Sequence, residues 1–138
     1  MLKIKDLIGK NKKAQTFNKY KIRIFRYNKS GFLSGVVVRK VKTDKDLGRA
    51  YTVNIKWEGQ LKLDSPVQVS CTCADFSARW RYVLNKHGSY YVGKNMFALN
   101  DKSLTDPPVI TNPDMITGVC KHLEFVLNAL VHVSDEVK

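Results

Sequence analysis

All three cysteines of this 138-residue chain fall in pairs whose members stand two apart, Cys71-Thr72-Cys73 and, much later, Cys120-Lys121-His122. Thiolates and imidazoles are the common protein ligands of soft and borderline metal ions, so the spacing asks first whether four such groups can meet at one point. In a strand, side chains two positions apart lie on the same side, so Cys71 and Cys73 can both reach one ion. In a helix interior, residues two apart diverge by about 200°, so Cys120 and His122 must sit before or at a helix start. Gly118 lets the chain bend there, and a helix N-terminus favours a thiolate at Cys120. Three sulfurs and one nitrogen in tetrahedral array fit zinc better than iron or copper.

Buried free cysteines are ordinary core residues, but that reading leaves the double pairing, ending in a histidine, to chance. His87 and His132 compete with His122 for the fourth place. His87 follows a predicted helix end, and His132 lies about three turns beyond Cys120, so both are less well placed. Catalysis by such a centre would require an open coordination position and a nearby acid or base. Four ligands close the shell here. Asp75 has a ready role as a helix cap and Glu124 lies at a helix start. The chain has no His-Glu-X-X-His and no phosphate-cradling glycine loop. Together these predict a non-enzymatic protein with a structural zinc.

The ligands need a strand end and a helix start, and the hydrophobic pattern supplies both. Tyr20, Ile22, Ile24 and Arg26 alternate with Lys21, Arg23, Phe25 and Tyr27, which predicts a first strand. Asn28-Lys29-Ser30-Gly31 reads as a turn, and Leu33 to Val41, with three consecutive valines, as a second strand. Tyr51, Val53, Ile55 and Trp57 give a third. Pro66 to Cys73 gives a fourth that carries both thiols on one face. The short connections imply an antiparallel meander. Phe76, Trp80, Val83 and Leu84 recur at helical spacing from Asp75 to about Lys86, and Leu123, Val126, Leu127, Leu130 and Val131 form the stripe of a last helix over about 119–133. Residues 87–118, broken by glycines and prolines, form a long excursion with local order over Ser89–Val92 and Met96–Leu99. Residues 1–19 are expected to be a basic arm and residues 20–138 a single domain. The expected fold is α+β: about four antiparallel strands, two packed helices and a zinc staple.

Positive charge is concentrated in the first half. Residues 1–60 hold 16 Lys and Arg against 4 Asp and Glu, and residues 61–138 hold 8 of each, so the net +12 lies entirely in the first sixty. Such a surface suits nucleic acid or an acidic protein face in an assembly. The candidate contacts are Lys12, Lys13, Lys19, Lys21, Arg23 and Arg26, interleaved with Tyr20, Phe25 and Tyr27, and a second cluster of Arg79 and Arg81 around Trp80. Aromatic rings stack on unpaired bases while cations meet phosphates, but alternating aromatics are equally the core positions of a strand. With no apolar run long enough for a membrane span and charges interleaved through the first residues, the expected location is the cytoplasm of the producing cell, without export.

The Cys-X-Cys and Cys-X-His pairs resemble the SWIM-type zinc finger, in which a β-hairpin and a helix share one zinc ion. Carried over, the resemblance makes Cys71, Cys73, Cys120 and His122 the ligands and the helix from His122 the family's α-element. The 46 residues between Cys73 and Cys120 exceed the family's usual insert, and Ala74 stands where a proline is often found nearby. The wider pattern of Cys71 to Tyr82, Pro107-Pro108, Asn112-Pro113 and Gly118 to Leu123 is similar to small virion-associated proteins of tailed bacteriophages. That likeness spans about residues 50–130. It implies a structural role in the neck, tail or baseplate, bound to neighbouring subunits in the virion.

Overall fold

In the computed structural model, which describes residues 1–9, 20–39, 50–92, 108 and 110–136, the alternating segments form one antiparallel sheet. Its strands are β1 (Tyr20–Asn28), β2 (Phe32–Arg39), β3 (Ala50–Trp57) and β4 (Val67–Cys71), ordered β1-β2-β3-β4. The expected α+β meander is therefore the architecture found. The Asn28–Gly31 turn closes β1 onto β2. Asn28 Oδ1 accepts from the Ser30 amide at 2.9 Å, and the Gly31 amide donates to the Asn28 carbonyl at 3.0 Å. Gly31 has φ +149°, and a side chain there would collide with the Trp57 carbonyl oxygen, so the turn requires glycine.

Register sorts the residues into two faces. Val37, Leu33, Val53, Ile55, Trp57, Val67, Val69 and Cys71 point to the core side and are buried. The helical segments pack on this side: a short α1 (Ile4–Leu7), a π-helical turn (Phe76–Trp80) running into α2 (Arg81–Lys86), and the long α3 (Lys121–Glu136). The apolar stripe of α3 buries Leu123, Val126 and Leu127, with Leu130 and Val131 partly covered, against β1, β3 and β4. No described helix covers the other face, which carries Lys21, Arg23 and Arg26 beside the polar residues of β3 and β4.

Three expectations change. The register of β1 slips between Ile24 and Arg26, so Phe25 is an extra residue and the faces exchange beyond it. Tyr27 then pairs with core-side Leu33 and lies against Trp57, their ring centroids 6.3 Å apart, while Arg26 joins Lys21 and Arg23 on the outer side. Secondly, Asp75 makes no capping bond; its carboxylate accepts from Trp80 Nε1 and Arg79 Nε, both at 3.2 Å.

Thirdly, the first nine residues are built into the domain and are not an arm. Ile4 and Leu7 are buried, Lys3 bridges Pro66, and the Ile4 and Lys5 amides donate to the carbonyls of Ser65 and Leu63 at 3.1 and 2.9 Å. The Val67 amide returns a bond to the Leu2 carbonyl at 3.0 Å, and the Gly9 amide donates to the buried carboxylate of Glu124 on α3. One turn of helix is too short to hold itself, so its apolar pair and these backbone bonds give it its place. Residues 10–19 lie outside the described residues. No described helix is long and apolar enough to cross a membrane.

Candidate metal centre

Strand β4 ends at Cys71 because the chain turns there into the π-helical segment. Cys73 is thus not a strand residue, as its spacing predicted, but the residue before the helical turn. Its sulfur accepts the Phe76 amide at 3.3 Å, which is the capping role expected of Asp75. Cys71 still faces the core from the strand, opposite Val53. From the other end of the chain, the Cys120 carbonyl accepts the Glu124 amide at 3.0 Å, so Cys120 stands just before the first turn of α3 and His122 within it. The helix-start requirement read from the two-residue spacing is met.

Cys71, Cys73, Cys120 and His122 are all buried, and one ligand atom from each lies within 4.8 Å of every other. Cys71 Sγ is 3.9 Å from His122 Nδ1. A tetrahedral ion with sulfur arms of about 2.3 Å spaces its ligands about 3.8 Å apart, so the cluster has the size of one ion's shell. The imidazole is fixed by two rings: Tyr51 of β3 stacks on it with centroids 4.3 Å apart, and Tyr20 of β1 meets it edge-on at 5.6 Å. His87 and His132 are exposed and stand apart from the cluster.

In the metal-free cluster the three thiols are not equivalent. Hydrogen bonds from Cys120 and Cys71, with help from His122 and the Phe76 amide, hold the Cys73 thiol far below the ordinary range despite its burial. At Cys71 the bond with Cys120 acts downward, but the bond with Cys73 and burial outweigh it and push the group up to about 12. Burial, then the neighbouring sulfurs, raise Cys120 well above the usual thiol value.

No protein-family model, curated protein or solved structure matches the chain. The residues themselves therefore carry the functional reading.

Sequence reasoning missed the residues that bring the second pair of ligands home. Asn112 is buried between the excursion and the π-helical turn. Its Nδ2 donates to the Arg79 carbonyl at 3.2 Å and the Ile116 carbonyl at 3.0 Å, and its Oδ1 accepts the Ile116 amide at 3.0 Å. Thr111 Oγ1 donates to the carbonyl of Ala78. The widened backbone ring of a π turn leaves such carbonyls available. Gly118 completes the approach, not by bending but by its size: a Cβ there would stand 3.0 Å from the Trp80 ring. Replacing Asn112 with alanine leaves the Arg79 carbonyl and Ile116 amide without this partner. It should cost about 1–3 kcal/mol in urea unfolding; an unchanged midpoint would show that the approach to Cys120 is held by something else.

The basic residues separate. Lys21, Arg23 and Arg26 are exposed on β1. Arg79 and Arg81 are on the helical side, Arg79 paired with Asp75 and lying over Trp80, Arg81 over Tyr90 with its centroid distance 5.6 Å. The two clusters do not form one surface. Lys12, Lys13 and Lys19, like Met96–Leu99, lie outside the described residues.

Proposed function

We propose that this chain is a non-enzymatic binding module whose fold is closed by one zinc ion held by Cys71, Cys73, Cys120 and His122. The observation that carries the reading is the convergence of four buried donors from a strand end and a helix start into one tetrahedron-sized cluster. Three thiolates and an imidazole suit zinc, which when bound would cross-link the end of β4 to the start of α3. The donor set leaves no coordination position for water. The acids nearest in sequence have other partners, Asp75 with Trp80 and Arg79, and Glu124 with the Gly9 amide. The SWIM-type resemblance of the two pairs supports the same reading. Its wider likeness to virion-associated phage proteins makes the working context an assembly, such as a neck, tail or baseplate, in which neighbouring subunits are the partners.

Protein purified without added metal should contain one zinc per chain by plasma mass spectrometry. Iron or copper in its place, or no metal in reduced protein, would reject the assignment. The sulfur chemistry adds a sharper test. Burial and the neighbouring sulfurs raise Cys71 and Cys120, and both must lose their protons to become ligands. Zinc uptake therefore releases protons, and affinity should rise steeply with pH. Competition against a chromophoric chelator at pH 6, 7 and 8 measures this; an affinity independent of pH would contradict the thiolate set.

A further inference from the structure

The outer face of the sheet is opposite the metal centre and its helices. Not one strand residue on that face is acidic, and among the described residues no carboxylate pairs with Lys21, Arg23 or Arg26. The cations line β1 along one side, and Lys56 of β3 is in register with Phe32. Beside Lys56 and Arg26 lies an aromatic step. The rings of Phe32 and Tyr91 are 5.5 Å apart at 52°, and the Arg26 guanidinium is 5.5 Å from the Phe32 centroid. Phe25, the residue extruded by the β1 bulge, is 64% exposed at the same end. Tyr91 reaches this face because residues 89–91 run beside β4, with the Tyr91 amide donating to the Val69 carbonyl at 3.0 Å.

Charges alone on an edge strand would guard against strand pairing. Guarding does not account for rings gathered among the cations or for Lys56, which belongs to an inner strand. Cations spaced along an open sheet beside half-exposed rings match a polyanion with flat, unpaired bases. Duplex DNA or RNA offers phosphates but hides its base faces, and an acidic protein surface offers charge without the flat partners.

We infer that this outer face binds single-stranded nucleic acid, with phosphates along Lys21, Arg23 and Lys56 and a base against the Phe32–Tyr91 step. The inference does not depend on which metal fills the centre behind the sheet. The test is fluorescence anisotropy of the full, metal-loaded chain with labelled dT20 and rU20 and a matched 20-base-pair duplex, from 20 to 200 mM salt. The single strands should bind more tightly than the duplex, with a log–log salt slope that flattens by about 0.7 for each phosphate contact removed. The K21E/R23E variant should lose both affinity and slope. The Y91A variant should lose about 5- to 100-fold in affinity while keeping the slope, as expected for a lost stack. Circular dichroism and zinc content of each variant, measured on the same samples, separate this result from failure of the fold or of the metal assignment.

No binding at 20 mM salt would overturn the inference and leave the face to an acidic protein. Equal affinity for the duplex would overturn the single-strand reading. Binding untouched by either folded variant would place the contact elsewhere.

Discussion

Replacing Cys120 with serine should remove zinc from the protein and release α3 from the sheet. The residue is fully buried just before the helix, and its sulfur belongs to a cluster with no described substitute. Structural zinc sites contribute on the order of 10 kcal/mol of binding free energy, which in such domains is folding free energy. A 16-residue helix is marginal without tertiary support. Loss of the staple also frees the start of α3 from the end of β4, while Cys73 loses the thiol that does most to hold its pKa down. The loss of even several kcal/mol lowers the melting temperature by roughly 15 °C in a domain of this size. Hydrogen exchange should rise first over residues 119–136, because the helix then keeps its buried Leu123, Val126 and Leu127 contacts and the Gly9–Glu124 bond but loses its link to the end of β4. Chelation of the wild-type protein should reproduce the phenotype, whereas H87A and H132A, at exposed positions away from the cluster, should retain metal and stability. A C120S protein that melts with the wild type and protects α3 equally would reduce the cluster to three ordinary buried cysteines.

The ligands were legible in the sequence because spacing is a local property: two-residue pairs imply a strand or a helix start whatever the rest of the chain does. The strands were legible for the same reason, through their alternation. The bulge at Phe25 was not, since inserting one residue changes no composition and only reverses which alternating set faces inward. That reversal moves Arg26 onto the face with Lys21 and Arg23 and brings it over Phe32, so the outer surface exists only after the slip is known. The capping exchange between Asp75 and Cys73 was hidden because a cysteine sulfur is a weak acceptor until neighbouring thiols and an amide hold it as a thiolate. Asn112 was illegible for a different reason. Its partners include the carbonyl of Arg79, 33 residues away, and that carbonyl is available through a π turn that no periodicity announces.

The same distinction between local and distant signals explains the N-terminus and leads to the second large effect. Leu2, Ile4, Leu7 and Ile8 among lysines read as a weakly patterned arm, because four helical residues carry too little periodicity to register. In the fold, however, Ile4 is 0% and Leu7 1% exposed, part of the same core as Trp57, Val67, Leu84 and Leu127. Truncating a buried leucine or isoleucine to alanine costs about 2–5 kcal/mol, so I4A and L7A should each weaken the domain severely. The double variant should approach the whole stability of a domain with about 5–15 kcal/mol to lose. Because the two side chains share one small segment, the second substitution should cost less than the first, the segment having already loosened. Replacing Lys3 or Lys5, whose side chains are in solvent, should leave the urea midpoint where it is; the Lys5–Asp64 pair is too exposed to hold the turn. An arm would respond to none of these changes. Equal midpoints for the wild type and the I4A/L7A protein would therefore return residues 1–9 to solvent, while a loss in the alanine pair alone would establish them as a layer of the core on which β4 and, through Gly9 and Glu124, α3 are seated.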